Sequence, residues 1–526
     1  MLKNYFKIAV RNIIRHKGFS FINIAGLAVG LAVCFLILLW VQDELSFDKF
    51  NENYNRIHRI LVDVNTNGEK FVVGVTAAAI APNIIDDVPE FEEICRFKNW
   101  GRFQIRKNEN EEFVGLNSGV ADPSIFKIFT IPLLAGDPET ALNDAHSLVL
   151  TTEAAEKLFG EDDPLGKIVQ VKNRGDFTVT GLVDNIENSH FNFEFLAPFH
   201  LIKEDGENID DMNMGSFNFT TYVLLSENTD PKIVDGKIKD FYFEEDSEFE
   251  PILFLQSLKD IYLNSDAAYD FTMRGDIKTI YIFSFIALLV LLIACINFMN
   301  LSTAKSAARA REIGIRKVSG SSRSKIVFQF FLESVMYAFL GMAIALLLTE
   351  LLLPVFNEIS GKEITLNFTQ SYQTILLLVG ITLITGLISG IYPALLLSSF
   401  KPVNVLKSTI VSGKKASLFR TILVISQFSL SIILLISALT VHKQLKFIYN
   451  KDLGYNKHHL VYSFFSPTLK DKYEVIKESL LNMPDVTAVT NMDVLPVYEC
   501  AASGVNDWEG RVGDDYGCAE TALHSV

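Results

Sequence analysis

Few residues in this 526-residue chain have the types and spacing to bind phosphate, a metal or a proton. Residues 160–167 read GEDDPLGK and come closest to a phosphate-binding loop. Such a loop needs its first glycine five positions before the second and Ser or Thr after the lysine, so that backbone N–H groups cradle phosphate and the hydroxyl holds magnesium. Here position 161 is Glu and position 168 is Ile, and the acids Asp162 and Asp163 would repel phosphate. With no other candidate present, the chain is not expected to handle ATP or to carry a cofactor. His58, His146, His190 and His200 show no metal-ligand spacing, so packing or surface roles and no metal site are expected. No nucleophile elbow is present, which disfavours a membrane-anchored hydrolase. Glu333 lies inside an otherwise apolar run, where a carboxyl is costly and faces a polar partner. No second ionisable group accompanies it to form a relay, so a structural hydrogen bond is preferred over ion translocation. Asn297 and Asn300, three apart near the end of another apolar run, either bond to a neighbouring helix or loop or are solvated at the membrane edge.

The most ordered charges lie in residues 304–322, AKSAARAREIGIRKVSGSS, clamped between uncharged runs. In helical register Lys305, Arg309 and Arg316 fall on one side, and Glu312 precedes Arg316 by four, the favourable order for an intrahelical pair. Gly314 interrupts the helix and permits a bend. Ile313 and Ile315 have no membrane to enter and would suit a pocket on a partner protein. A docking element and a plain positive-inside loop explain this segment equally well on periodicity alone.

The elements that would position these residues follow from hydropathy. A hydrocarbon core about 30 Å thick needs roughly 20 apolar residues in a helix. Uncharged runs of that kind cover residues 19–41, 279–303, 326–349, 373–398 and 421–441, the third interrupted by Glu333. The net charge is −15, which argues against nucleic acid as a partner. Over residues 43–275 acids outnumber bases by roughly two to one, whereas residues 1–20, 305–325 and 401–420 are strongly basic. That asymmetry puts the three basic segments in the cytoplasm and the acidic region outside.

The expected fold class is an α-helical membrane protein with an inserted α+β extracytoplasmic domain and about five transmembrane helices. The division is 1–18 cytoplasmic amphipathic helix, 19–42 first span, 43–277 extracytoplasmic domain, 278–303 second span and 304–325 cytoplasmic coupling segment. Then come 326–353 third span, 354–371 outer loop, 372–398 fourth span, 399–420 cytoplasmic linker, 421–441 fifth span and 442–526 a second outside region. Lys3, Lys7, Arg11 and Arg15 recur every four residues opposite Leu2, Phe6, Val10 and Ile13, the pattern of a helix lying on lipid headgroups. Gly26 and Gly30 would let a helix approach closely, within the subunit or across an interface. Gly386 and Gly390 followed by Pro393 favour close packing and a kink in the fourth span. Within the domain, IVQV and FTVTGLV read as strands joined by a turn near residues 173–176, and TTEAAEKLF as a helix with a Thr start. Cys34 and Cys295 read as buried thiols, Cys95, Cys500 and Cys518 as facing outside, and a Cys500–Cys518 disulfide stays open. Residues 442–526 end without a returning span, and Lys443, Lys446 and Lys451 run against the charge rule. This stretch reads as the start of a second copy of the first module, so the chain is expected to be incomplete.

Several strings occur in a fixed order: SFDKFNENYNRIHRI after the first span, ADPSIFKIFTIPLLAGDPETAL and LFGEDDPLGK in the domain, NFMNLSTAKSAARAREIGIRKVSG after the second span, and SGIYPALLLSSFKPVNVLK closing the fourth. Together they resemble the FtsX-like, MacB-type permeases of ABC transporters, especially the long two-module forms, over nearly the whole chain. The resemblance implies a MacB-like extracytoplasmic domain and a bundle of spans in the bacterial inner membrane. It also implies a coupling helix docked on a separate cytoplasmic ATPase subunit that holds ATP and magnesium. Carried onto this sequence, Arg309, Arg311, Glu312, Ile313, Gly314, Ile315, Arg316 and Lys317 would form the coupling element. Other implied partners are membrane lipid, a second permease module (its own C-terminal half or a dimer mate) and a periplasmic adaptor. The expected function is mechanotransmission, exporting a drug, peptide or lipoprotein. The alternatives are a non-transporting regulator of cell-wall hydrolases and a membrane-anchored sensor, the latter disfavoured because the chain offers only short basic loops on the cytoplasmic side.

Overall fold

The computed structural model describes residues 2–66, 69–204, 209, 217–241, 251–304, 313–366, 372–399, 414–451, 459–462, 472–491, 502–504 and 520–522. The chain divides into two compact units, Met1–Ile436 and Ser437–Val526. Among the described residues five helices are long and apolar enough to cross a membrane. They are α2 (Lys17–Glu44), α3 (Ile277–Ala304), α4 (Arg323–Ser360), α5 (Tyr372–Ser399) and α6 (Lys414–Asn450), preceded by the shorter α1 (Leu2–Arg15). The α1–α2 break falls at His16, whose φ of −121° and ψ of 56° leave the helical region.

The helix α2 is the most buried of the five and forms the axis of the bundle. Its Leu31, Ala32 and Phe35 pack with Ala345 of α4 and Leu378 of α5. The approach to α3 is close because α2 presents glycines: a Cβ at Gly30 would sit 2.6 Å from the Ala294 Cβ, and one at Gly26 would sit 3.0 Å from Asn297 Nδ2. The α4–α5 pair is built the same way, with Gly386 against Val335 and Gly390 against Ser334. These contacts lie within one chain, and they gain through van der Waals packing what apolar burial cannot supply in lipid.

Two helices run beyond the lengths that hydropathy suggested. The helix α4 continues through Pro354 to Ser360 and stops at Gly361, whose φ of +66° is the left-handed turn that glycine adopts without strain. A proline removes one ladder bond, and the following VFNEIS carries helix-compatible residues, so the helix resumes. Likewise α6 begins at Lys414 and ends at Asn450, past the uncharged run at both ends.

Between α2 and α3 lies a domain that holds, among the described residues, twelve strands and short helices. The strands are β1 (Ile57–Thr66), β2 (Glu69–Val73), β3 (Thr76–Ala77), β4 (Phe91–Arg106), β5 (Val114–Ala121), β6 (Leu133–Gly136), β7 (Ser147–Thr151), β8 (Ile168–Val171), β9 (Gly175–Val183), β10 (Phe195–Pro198), β11 (Phe217–Leu225) and β12 (Ile252–Ser257). Their main order is β12-β1-β11-β4-β5-β10-β7-β9-β6, with β2 on β1, β3 on β11, and β8 on β4 and β9. The β5–β10 and β7–β9 pairs are parallel, the rest antiparallel. Alternation along the strands sends side chains to two faces, each with its own core. Leu148 and Leu150 of β7 join Phe195 and Ala197 of β10 on one face, while Val149 and Leu196 join Phe97 and Tyr222 on the other. The expected hairpin is β8–β9, paired from Ile168↔Thr178 to Val171↔Gly175, with Asn173 at φ 67° in its turn. The expected helix is Thr152–Phe159, capped by the Thr151 side chain accepting from the Ala154 N–H.

The second unit contains a helix at Tyr473–Leu481 and a two-stranded pair, Ala502–Gly504 with Glu520–Ala522. Cys500 and Cys518 lie outside the described residues.

Candidate coupling site and its path to the domain

At the end of the bundle remote from the domain, residues 313–318 form helical turns that lead towards α4. Ile313 is 5% exposed and packs with Ile326 and Phe330 of α4 and Ala394 and Leu397 of α5. This corrects the expectation that Ile313 fills a pocket on a partner: side chains of α4 and α5 in its own bundle supply the pocket. Ile315 does face outward at 53% exposure, with Val318 beside it at 67%. Arg316 Nη1 donates to Gln329 Oε1 at 2.7 Å, and Lys317 Nζ donates to the Ser398 carbonyl at 2.5 Å. Burial, and secondarily the nearby Arg323 charge, lower the Lys317 pKa. Arg323 Nε reaches Ser398 Oγ at 3.2 Å, so α4 and the preceding turns both hold the end of α5. Gly314 lies within these turns, while Arg309, Arg311 and Glu312 lie outside the described residues.

Glu333 is 4% exposed and borders two small cavities. One, of about 20 Å³, is lined by Phe19, Phe298, Ser334, Tyr337 and Pro393 as well as Glu333. The other, of about 10 Å³, is lined by Asn12 of α1, Ile313, Arg316 and Gln329 with Glu333. The carboxyl therefore sits where α1, α4 and the 313–318 turns converge, and α1 is tied in by Ser20 Oγ, which donates to the Ile13 carbonyl at 3.0 Å. Of the two asparagines, Asn297 faces Gly26 of α2 and Asn300 Nδ2 donates to Gln427 Oε1 of α6 at 3.2 Å, so each meets a neighbouring helix. Pro393 lies inside α5, and Gly386, Gly390, Gly26 and Gly30 occupy the helix contacts described above.

At the opposite end of the bundle, sequence reasoning missed a dense polar junction. The helix α2 ends in Gln42, Asp43 and Glu44, and α4–α5 is joined by a loop carrying Lys362. Lys362 Nζ lies 3.0 Å from Asp43 Oδ2 and 2.9 Å from Glu44 Oε1, and 4.5 Å from the Phe47 ring centroid. Burial opposes its charge, but hydrogen bonds to Glu44 and Asp43 outweigh that and hold the ammonium pKa above the usual lysine range. Glu44 Oε2 also accepts from the Tyr262 hydroxyl at 2.8 Å. Burial, then the bond to Glu44, push the Tyr262 pKa up. The Tyr262 and Phe47 rings stack at 3.6 Å. Gln42 Nε2 donates to Thr374 Oγ1 of α5 at 2.9 Å.

The first residues of the domain are fastened just beyond. Asn188 Nδ2 donates to Asp43 Oδ1 at 3.0 Å and Ser46 Oγ at 2.8 Å. His190 bridges Asp48 Oδ1 and the Tyr222 hydroxyl, each at 2.8 Å, with all three side chains buried. The segment returning to α3 is held by Asp270, which pairs with Arg59 of β1 and accepts from Thr272 Oγ1 at 2.6 Å. None of these pairings has a local signature; the nearest signal was the QDE run closing the first span and the lone lysine in a short loop.

Comparison with known proteins adds the following. Residues 20–241 match the MacB-like periplasmic core domain, and residues 284–402 match the FtsX-like permease C-terminal domain. A protein of Pseudomonas fluorescens (strain Pf0-1) named a probable export ATP-binding/permease protein is 24% identical over 426 residues, covering 77% of this chain and 60% of that one. A Neisseria meningitidis protein named the macrolide export ATP-binding/permease protein MacB is 24% identical over 226 residues, covering 42% of this chain and 32% of its own. The chain therefore spans less than two thirds of the length of these relatives. The crystal structure of the periplasmic region of MacB from Actinobacillus actinomycetemcomitans aligns with 39% of this chain and 90% of its own, at 16% identity and a TM-score of 0.29.

Proposed function

We propose that this chain, which carries a MacB-like periplasmic core domain and an FtsX-like permease domain, is the permease of an ABC transporter of the FtsX/MacB type and works by mechanotransmission. On this reading a separate cytoplasmic ATPase subunit binds ATP and magnesium, and its closure displaces the coupling element. That element comprises Arg309, Arg311, Glu312, Gly314, Ile315, Arg316 and Lys317, with Ile313 as its root in the bundle. The N-terminus and the coupling element then lie in the cytoplasm of a bacterial inner membrane. The exported cargo would be a drug, peptide or lipoprotein, with a periplasmic adaptor on the domain.

One observation carries the reading. Ile313 and Lys317 are fixed to α4 and α5 while Ile315 and Val318, on the same short turns, are exposed. A partner that grips the exposed side must move both helices, because apolar packing and a bond to a backbone carbonyl do not yield independently. Two-state motion driven this way needs only a partner that binds one position better than the other. Among the described residues none of the apolar window of α6 is buried, which supports a second permease module or lipid as its cover.

The test is to purify the complete permease with candidate ATPases in lipid nanodiscs and measure association and ATP hydrolysis. Arg309→Glu and Ile315→Asp should each abolish association or stimulation. Persistence of both in both variants would refute the docking claim. Following cargo accumulation beside cell-wall turnover in a deletion strain separates export from regulation of a hydrolase.

A further inference from the structure

The α4–α5 hairpin reaches the start of the domain although no covalent link joins them there. Its loop is set from the bundle side: Gly361 turns the chain, the Lys362 N–H donates to the Asn357 carbonyl at 3.2 Å, and Asn357 Nδ2 donates to the Ile364 carbonyl at 2.9 Å. Ile364 is buried with Leu36 and Leu39 of α2 and Leu353 of α4. Lys362 is thus presented in one place and not left to wander on a free loop. From that place it engages Asp43, Glu44 and the Phe47 ring together. Glu44 and Phe47 are in turn the two residues on which Tyr262 of the domain rests. Gly275 closes the arrangement, since a Cβ there would sit 2.8 Å from the Tyr262 ring and 3.0 Å from Glu44 Oε2.

We propose that Lys362 is a positioning residue through which the α4–α5 hairpin steers the domain, an arm additional to the two covalent links α2 and α3. The proposal rests on the mechanotransmission reading above. Its physical basis is that one ammonium neutralises two adjacent carboxylates, one of them buried, in a setting where charge interactions are weakly screened. When α4 and α5 move, the domain entry must follow or leave Asp43 and Glu44 facing each other uncompensated. Because Tyr262 is bonded to Glu44, the displacement passes into the domain's own fold and not only into the connecting backbone.

The experiment uses the complete permease with its ATPase in nanodiscs, with Cys500 and Cys518 replaced by serine. Spin labels at Glu161→Cys in the domain and Tyr372→Cys on α5 report their separation with and without ATP. Lys362→Met is expected to reduce the ATP-dependent change to less than half that of the parent while leaving hydrolysis within about twofold, and Lys362→Arg to restore it. An undiminished change in Lys362→Met overturns the proposal. No ATP-dependent change in the parent overturns the mechanotransmission reading, a different outcome. If Lys362→Met does not fold, Lys362→Gln, which keeps a polar side chain, one atom shorter and without the charge, is measured against the same threshold.

Discussion

Arg59 and Asp270 meet at 2.6 Å with neither side chain exposed to solvent. Arg59 also donates to Gln256 Oε1 at 2.6 Å and Ser265 Oγ at 2.8 Å, so one guanidinium ties β1 to β12 and to the segment that returns to α3. Removing one partner strands a buried charge. Arg59→Met or Asp270→Leu should each destabilise the domain by about 3–5 kcal/mol, and the double variant by less than either single change. Thermal unfolding of the detergent-solubilised chain measures this; an additive double variant would refute the coupling.

The same pair sets an acid limit. Burial alone would raise the Asp270 pKa, but the hydrogen bond and charge of Arg59, with Thr272, bring it below the ordinary aspartate value. A depressed folded-state pKa contributes stability above the unfolded value, about 3.9, and loses it as pH falls through the folded value. The stability gap between the parent and Asp270→Asn should therefore be constant from neutral pH to about pH 5 and shrink below about pH 4. A gap that closed near pH 6 would show that some other group titrates.

Cys95 offers a reporter of domain opening. It is fully buried, its thiol donating to the Arg96 carbonyl at 3.3 Å, and burial followed by the charge of Asp122 pushes its pKa well up. Alkylation at pH 8, followed by peptide mass spectrometry, should leave Cys95 unmodified in the folded protein and modify it fully in denaturant. Rapid native-state labelling would contradict this packing.

Helix contacts built on glycine are intolerant of bulk. Gly30→Leu and Gly390→Leu must force α2 from α3 or α5 from α4, at a cost of about 1–3 kcal/mol or more. Gly18→Ala, with nothing within 4 Å of its added Cβ, should leave stability within about 0.5 kcal/mol of the parent. Thermal denaturation in one detergent ranks the three.

On the proposed function, the two isoleucines of the 313–318 turns should separate stability from docking. Ile313→Asp buries a charge among Ile326, Phe330 and Leu397 and should lower the melting temperature sharply. Ile315→Asp adds a charge to an exposed position and should leave melting unchanged while impairing ATPase association. Equal melting of the two variants would contradict the assigned directions.

Much of the fold was legible because its determinants are local. Five uncharged runs announce five long helices, Asn173 and Gly175 announce a hairpin, and Thr151 announces a helix start, each within a few residues of its effect. The continuation of α4 past Pro354 was less legible, since the helix end is decided by Gly361 and by loop packing on α2 rather than by hydropathy. Least legible were the polar junctions. Lys362 meets Asp43 and Glu44 from the far end of the sequence, and Arg59 meets Asp270 across almost the whole domain. Periodicity carries no information on such pairings, which depend on where the sheet and bundle bring remote segments together. The direction of Ile313 was equally hidden, because it turns on the space between two helices that one helix's pattern does not describe.

The domain leaves the bundle at Glu44 and returns at Gly275, and these two points touch through Tyr262. A module whose entrance and exit are neighbours can be lengthened, shortened or exchanged without altering the spacing of the helices that bear it. The helix bundle is in that sense a socket: α2 and α3, locked by Gly26 and Gly30, fix the width of the fitting, and a different domain could occupy it with the bundle unchanged.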